Sequence, residues 1–214
     1  MVLARLARRG GRRVTSLSLA ACAGAVDLLA IAGLGGAFAS IITGNLVTAG
    51  NGIGSADDHV FAPAAVAIGG YTAGVLTAQA IPRFRWPGHL VIELALLGVL
   101  TGGWIATGSR PDRETALLLL AAAGLAMGTQ SVVASWLHES TTYMTGTLTT
   151  ALHDLVTGKR GTRAVAFGQL GALCAGATVA AALMHAARWS VPVLALCFLL
   201  VAIIAGALGD IEGD

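Results

Sequence analysis

The sequence predicts an all-α membrane bundle of about six transmembrane helices in a 3+3 inverted repeat, with Thr-Gly breaks after helices 1 and 4. Three observations carry this prediction. Charged residues make up 11% of the 214 residues and hydrophobic ones 56%, with a mean hydropathy of +0.78. A soluble domain carries about 25% charged residues, so this chain cannot cover a water-facing surface and lipid is its expected solvent. Six apolar segments, at approximately 15–37, 61–81, 88–107, 115–135, 164–185 and 190–208, each match a membrane-spanning helix. Finally, Ile41-Ile42-Thr43-Gly44-Asn45-Leu46 is echoed 102 residues later by Tyr143-Met144-Thr145-Gly146-Thr147-Leu148. At the same offset Gly69 maps onto Gly171 and Gly74 onto Gly176, and one residue further on Arg85-Trp86 maps onto Arg188-Trp189. Four features in one order read as an internal duplication.

The chain divides accordingly into a cytoplasmic Arg-rich tail (1–14), a first three-helix repeat (15–107), a second (115–208) and an acidic tail (209–214). Residues 1–13 hold five arginines, and Ala37-Phe38-Ala39 resembles a signal-peptidase site. The apolar run ahead of that site is longer than the 7–15 residues of a signal core and is interrupted by Asp27, so it reads as a retained first span.

Short connections join the second span to the third, the third to the fourth, and the fifth to the sixth. The two long connections, 41–60 and 135–163, carry the Thr-Gly motifs. With the amino terminus inside, ten Lys and Arg fall on cytoplasmic segments, and three, Arg110, Arg113 and Arg188, fall outside. Eight crossings would give the same tally. The shortness of 37–52 and the polarity of 139–154 favour six full spans, with the motifs as broken, re-entrant or interfacial half-helices. Trp86, Trp104, Trp136 and Trp189 lie near segment ends, as interfacial anchors do. Gly70-x-x-x-Gly74 reads as a close-packing motif. Cys22, Cys174 and Cys197 fall within apolar segments and read as small buried hydrophobes, with neither a disulfide nor a metal site implied.

Candidate binding residues follow from polarity inside the bilayer. Asp27 sits near the middle of the first span, where a carboxylate needs a partner or a wet cavity and can exchange a proton. Gln130 occupies the equivalent place in the fourth span, and the two are expected to face each other across the repeat axis. Glu93, in the third span, is a secondary candidate and is expected to pair with Arg83, Arg85 or His89. In the motifs, Gly44 and Gly146 permit an unwound backbone that frees carbonyls and amides. Thr43, Asn45, Thr145 and Thr147 add donors and acceptors at the same point. The competing reading of each motif is a helix cap or turn.

No enzyme is indicated. His138-Glu139 lacks the second histidine of a zinc helix motif, and there is no G-x-S-x-G, phosphate loop or Cys-x-x-Cys. His153-Asp154 reads as a solvated face. No cofactor or metal is expected. The terminal arginines suit topology or anionic lipid rather than nucleic acid.

Several of these stretches resemble the YoaK family of bacterial multi-pass membrane proteins, defined as domain of unknown function 1275. The resemblance spans about residues 15–208. It rests on Gly24-Ala25-Val26-Asp27, Ile42-Thr43-Gly44-Asn45, Met127-Gly128-Thr129-Gln130 and Thr141 to Leu148, with Ile42 replacing the methionine of the first motif. It implies a polytopic protein of the bacterial cytoplasmic (inner) membrane and no substrate. The reading drawn from all this is a small carrier or permease of an unidentified polar solute or ion. It would be proton-coupled through Asp27, have both termini cytoplasmic, and be of a size compatible with a homodimer. The alternative is a non-transporting scaffold or a lipid- or partner-binding protein.

Overall fold

The computed structural model describes residues 2–81, 88–136, 144–157 and 163–208. These form eight α-helices: α1 (Val2–Gly33), α2 (Ile42–Ser55), α3 (Asp58–Ala80), α4 (Gly88–Ala106), α5 (Arg113–Trp136), α6 (Met144–Val156), α7 (Arg163–Ala186) and α8 (Val191–Leu208). Six of them, all but α2 and α6, are long and apolar enough to cross a membrane. At 14 and 13 residues, α2 and α6 reach about 20 Å, short of the ~30 Å hydrocarbon core. The fold is all-helical among the described residues, as the apolar runs predict.

One end of the bundle collects several helix termini. The Trp104 indole, near the end of α4, lies against Gly33 at the end of α1 and donates from Nε1 to Arg188 O, 2.9 Å away. The Arg188 guanidinium covers the same ring and donates from Nε to Ser109 O. Gly35 abuts Pro63 of α3, and Arg113 at the start of α5 pairs with Asp58 at the start of α3. Thus α3 begins at the end where α1 finishes, and α2 does not carry the chain across the bundle. Trp104 is fully buried, so it is a packing residue and not the interfacial anchor its position suggests. Trp189 is exposed, Trp136 meets His89 edge to face, and Trp86 lies outside the described residues.

The halves exchange partners. α1 packs against α7 and α8, while α5 packs against α3 and α4. Both tight pairs use glycine so that backbones can touch. A methyl added at Gly24 would strike the Leu173 carbonyl, and one at Gly176 the Ala21 carbonyl. Equally, one at Gly128 would strike the Tyr71 carbonyl, and one at Gly74 the Leu125 carbonyl. Both pairs run parallel, with Gln169 Nε2 donating to Ser16 Oγ further along the α1–α7 seam. Gly70 lies equally close to Ala121, so the Gly70–Gly74 motif does pack a helix. Of the cysteines, Cys22 is buried in the core, whereas Cys174 and Cys197 sit on outer helix faces, contrary to the expectation that all three are interior.

Outside the spans, Asp112 precedes α5. Its carboxyl is held below its ordinary value by the Thr115 hydroxyl first, and then by nearby backbone N–H groups, as suits an acid at a helix start.

Candidate functional site

After α1 ends, Gly35 and Gly36 take positive φ of 112° and 86°, which lets the chain reverse. Residues 37–41 then run back alongside α1. Ser40 arrives at Asp27, six residues before the end of α1 and so about 9 Å below it. Asp27 Oδ1 accepts from Ser40 N at 2.8 Å, and Oδ2 accepts from Ser40 Oγ at 2.6 Å. From this depth α2 begins at Ile42 and returns toward α3, with Gly52 pressed against Phe61.

The break therefore precedes the Thr-Gly motif. Thr43 and Gly44 lie in the first turn of α2, and Thr145 and Gly146 in the first turn of α6, all helical. At the start of α2 the break leaves amide N–H groups unpaired. Ile42 N donates to Ser40 O and Asn45 N to Ile41 O, but the N–H groups of Thr43 and Gly44 have no partner among the described residues. The Asn45 side chain is fully buried and not available as a ligand. Its Oδ1 accepts from Phe38 N at 2.9 Å and its Nδ2 donates to Phe38 O at 2.6 Å, clamping the returning strand to α2.

The first turns of α2 and α6 share a cavity of about 410 Å³, lined by Ser40, Ile41, Ile42, Thr43, Tyr71, Met144, Thr145 and Gly146. Residues from both motif copies thus line one space. Asp27 stands directly behind its wall, joined to it through Ser40. Thr147 is half-buried on α6, and residues 137–143, including His138, Glu139 and Tyr143, lie outside the described residues.

Two expected pairings are not formed among the described residues. Gln130 does not meet Asp27: its Nε2 donates to Leu19 O, about two turns of α1 away. The matched contacts explain why. They pair Gly24 with Gly128, a step of 104, but Gly74 with Gly176, a step of 102. On that register the counterpart of Asp27 is Ser131, one residue beyond Gln130. Nor does Glu93 pair with His89, whose Nε2 lies 3.2 Å from Ala78 O, and both Glu93 carboxyl oxygens lack hydrogen-bond partners among the described residues. Arg83 and Arg85 lie outside the described residues. On α6, His153 is exposed but Asp154 is turned inward, so only the first belongs to a solvated face.

Sequence reasoning misses Ser40 and Tyr71. Tyr71 is one of only two tyrosines in the chain and the only one within an apolar span, a usable signal. Ser40 offers none before its contact with Asp27 is seen. Among the described residues there is no His, Cys, Asp and Glu cluster fit for a metal.

Six helices long and apolar enough to cross a membrane define an integral, multi-pass membrane protein in contact with the lipid bilayer. The chain belongs to the family described as Protein of unknown function (DUF1275), whose model matches residues 15–206. No curated protein and no solved structure matches it.

Proposed function

We propose that this protein is a small carrier of a polar solute, which binds in the cavity between the first turns of α2 and α6. The observation that supports this reading most is the joint lining of the cavity by Thr43 and by Thr145 and Gly146. A duplicated motif that merely capped two helices would have no reason to converge. The exchanged packing of α1 with α7 and of α5 with α3 supports two halves of inverted topology, able to rock about a shared midplane site. In that topology both termini are cytoplasmic and the membrane is the bacterial inner one.

The half-helices also favour a kind of solute. Each directs its amino-terminal end, carrying roughly half a positive charge, at the cavity. Thr43 and Gly44 add N–H groups unpartnered among the described residues, and the hydroxyls of Thr43 and Thr145 stand at the same wall. These are donors, suited to a carboxylate or another anionic group. The Asp27–Ser40 pair behind the wall gives a route by which solute occupancy and proton occupancy influence each other.

The reading is tested in proteoliposomes holding a pH-sensitive dye, screened against pools of small organic and inorganic anions. Wild type is expected to move at least one pool with an accompanying proton signal. The Thr43→Val, Thr145→Val double variant, folded, is expected to lose at least about tenfold in rate, the worth of one lost hydrogen bond. Unchanged transport in that variant would remove the cavity from the path. A folded wild type that moves none of these pools would favour the scaffold reading.

A further inference from the structure

Glu93 lies inside α4, five residues after Gly88, and is completely shielded from solvent. Both of its carboxyl oxygens are buried without a hydrogen-bond partner among the described residues. Buried polar groups are almost always partnered, and each exception asks for a reason. Inside a membrane an ionisable side chain is also expensive to insert, and leucine, the residue at the corresponding position 196 of α8, would fill the space at no such cost. Packing alone therefore does not account for Glu93.

Its surroundings narrow what it can do. α4 packs on α5 and α8. On α5 the titratable groups are Arg113 and Glu114, at the helix start near the opposite end of α4, and on α8 there is only the outward Cys197. On α1 the core holds the buried thiol of Cys22, which is not a cation. On α4 itself, His89 is engaged by Ala78 O and the Trp136 ring. Among the described residues no cationic group faces the carboxyl. What two solvent-shielded oxygens without a partner among the described residues can take up is a proton.

We infer that Glu93 is a proton-binding site inside the bundle, a carboxyl that takes up and releases H⁺ independently of the Asp27–Ser40 pair. The exchange is a bare protonation, carboxylate plus H⁺ giving the acid, and needs no co-reactant. Its purpose rests on the carrier reading. In that reading Glu93 is a second proton site in the buried core, separate from the Asp27 carboxyl that holds Ser40 at the cavity wall.

The test reads proton binding and not transport, so the two readings fail separately. Infrared difference spectra are recorded on the full-length protein in lipid at low and high pH. A protonated-carboxyl C=O band that comes and goes with pH is expected, with one component lost in Glu93→Gln and retained in Asp27→Asn. A Glu93→Gln spectrum identical to wild type would overturn the inference, whatever the transport assay gives. Should Glu93→Gln not fold, wild type treated with the membrane-permeant dicyclohexylcarbodiimide decides. Modification of Glu93 that falls as pH rises supports the site, and an unmodified Glu93 at every pH overturns it.

Discussion

Asp27 and Ser40 are joined by two hydrogen bonds, one to the backbone N–H and one to the hydroxyl, across a chain reversal of 13 residues. This contact fixes how deep the returning strand lies and hence where α2 starts. Removing the carboxylate is expected to release residues 37–41. Asp27→Ala should cost about 1.5–3 kcal/mol, the range for hydrogen bonds to a charged group, and lower the thermal unfolding midpoint in detergent. Asp27→Asn keeps one acceptor for Ser40 N and should fold, but should lose the proton signal of transport.

Asn45 performs the complementary task from α2, using both ends of its amide on Phe38. Asn45→Asp keeps the acceptor and discards the donor, leaving Phe38 O facing a carboxylate. Both Asn45→Asp and Asn45→Ala should be destabilised by about 1–3 kcal/mol, with aspartate the worse. The same melting assay ranks them, and an Asn45→Asp variant as stable as wild type would show that the clamp does not hold the strand.

The four glycines of the exchanged helix pairs make a symmetric prediction. Gly24→Leu and Gly128→Leu each drive a side chain into a facing carbonyl and should lose about 1–3 kcal/mol or more from overpacking. Gly98→Leu, on an open face of α4, should be near neutral. Detergent-solubilised yield and melting midpoint measure all three.

Much of this arrangement is legible in the sequence. Lipid as solvent requires long uninterrupted apolar helices, so the six spans can be read from hydropathy alone. Asp27 stands out because a carboxylate inside such a run demands a reason. The Thr-Gly motifs point to the right elements, but their glycine reads as the break itself. The break lies upstream instead, at Gly35 and Gly36, where positive φ is needed. Gln130 is matched to Asp27 one residue out of register, because the equivalent close contacts stand 104 residues apart on α1 and α5 but 102 apart on α3 and α7. Motif matching at one offset cannot see that slip. Trp104 looks like an anchor because nearness to a helix end in sequence does not reveal which face meets the bundle.

At the bundle end, pH acts through Asp112. Its folded carboxyl is held below the unfolded value of about 3.9, mainly by the Thr115 hydroxyl, so its stabilisation is present above that pH. It is lost as pH falls through the lower folded value. Asp112→Ala should therefore lower the melting midpoint at neutral pH by a small amount and flatten its acid dependence, read from melts across a pH series. A variant with the wild-type acid slope would show that another group carries it.

A carrier of this build must open the cavity between α2 and α6 to water during its working cycle. Thr43→Cys, in a protein whose native Cys22, Cys174 and Cys197 are replaced by alanine, reports on that opening. A membrane-impermeant thiol reagent is added to one side or the other of sealed vesicles. In a carrier the introduced thiol is modified from either side, each time more slowly than a loop cysteine. A folded protein whose introduced thiol resists the reagent from both sides would contradict the carrier reading, leaving the cavity as closed packing and the protein as a membrane scaffold.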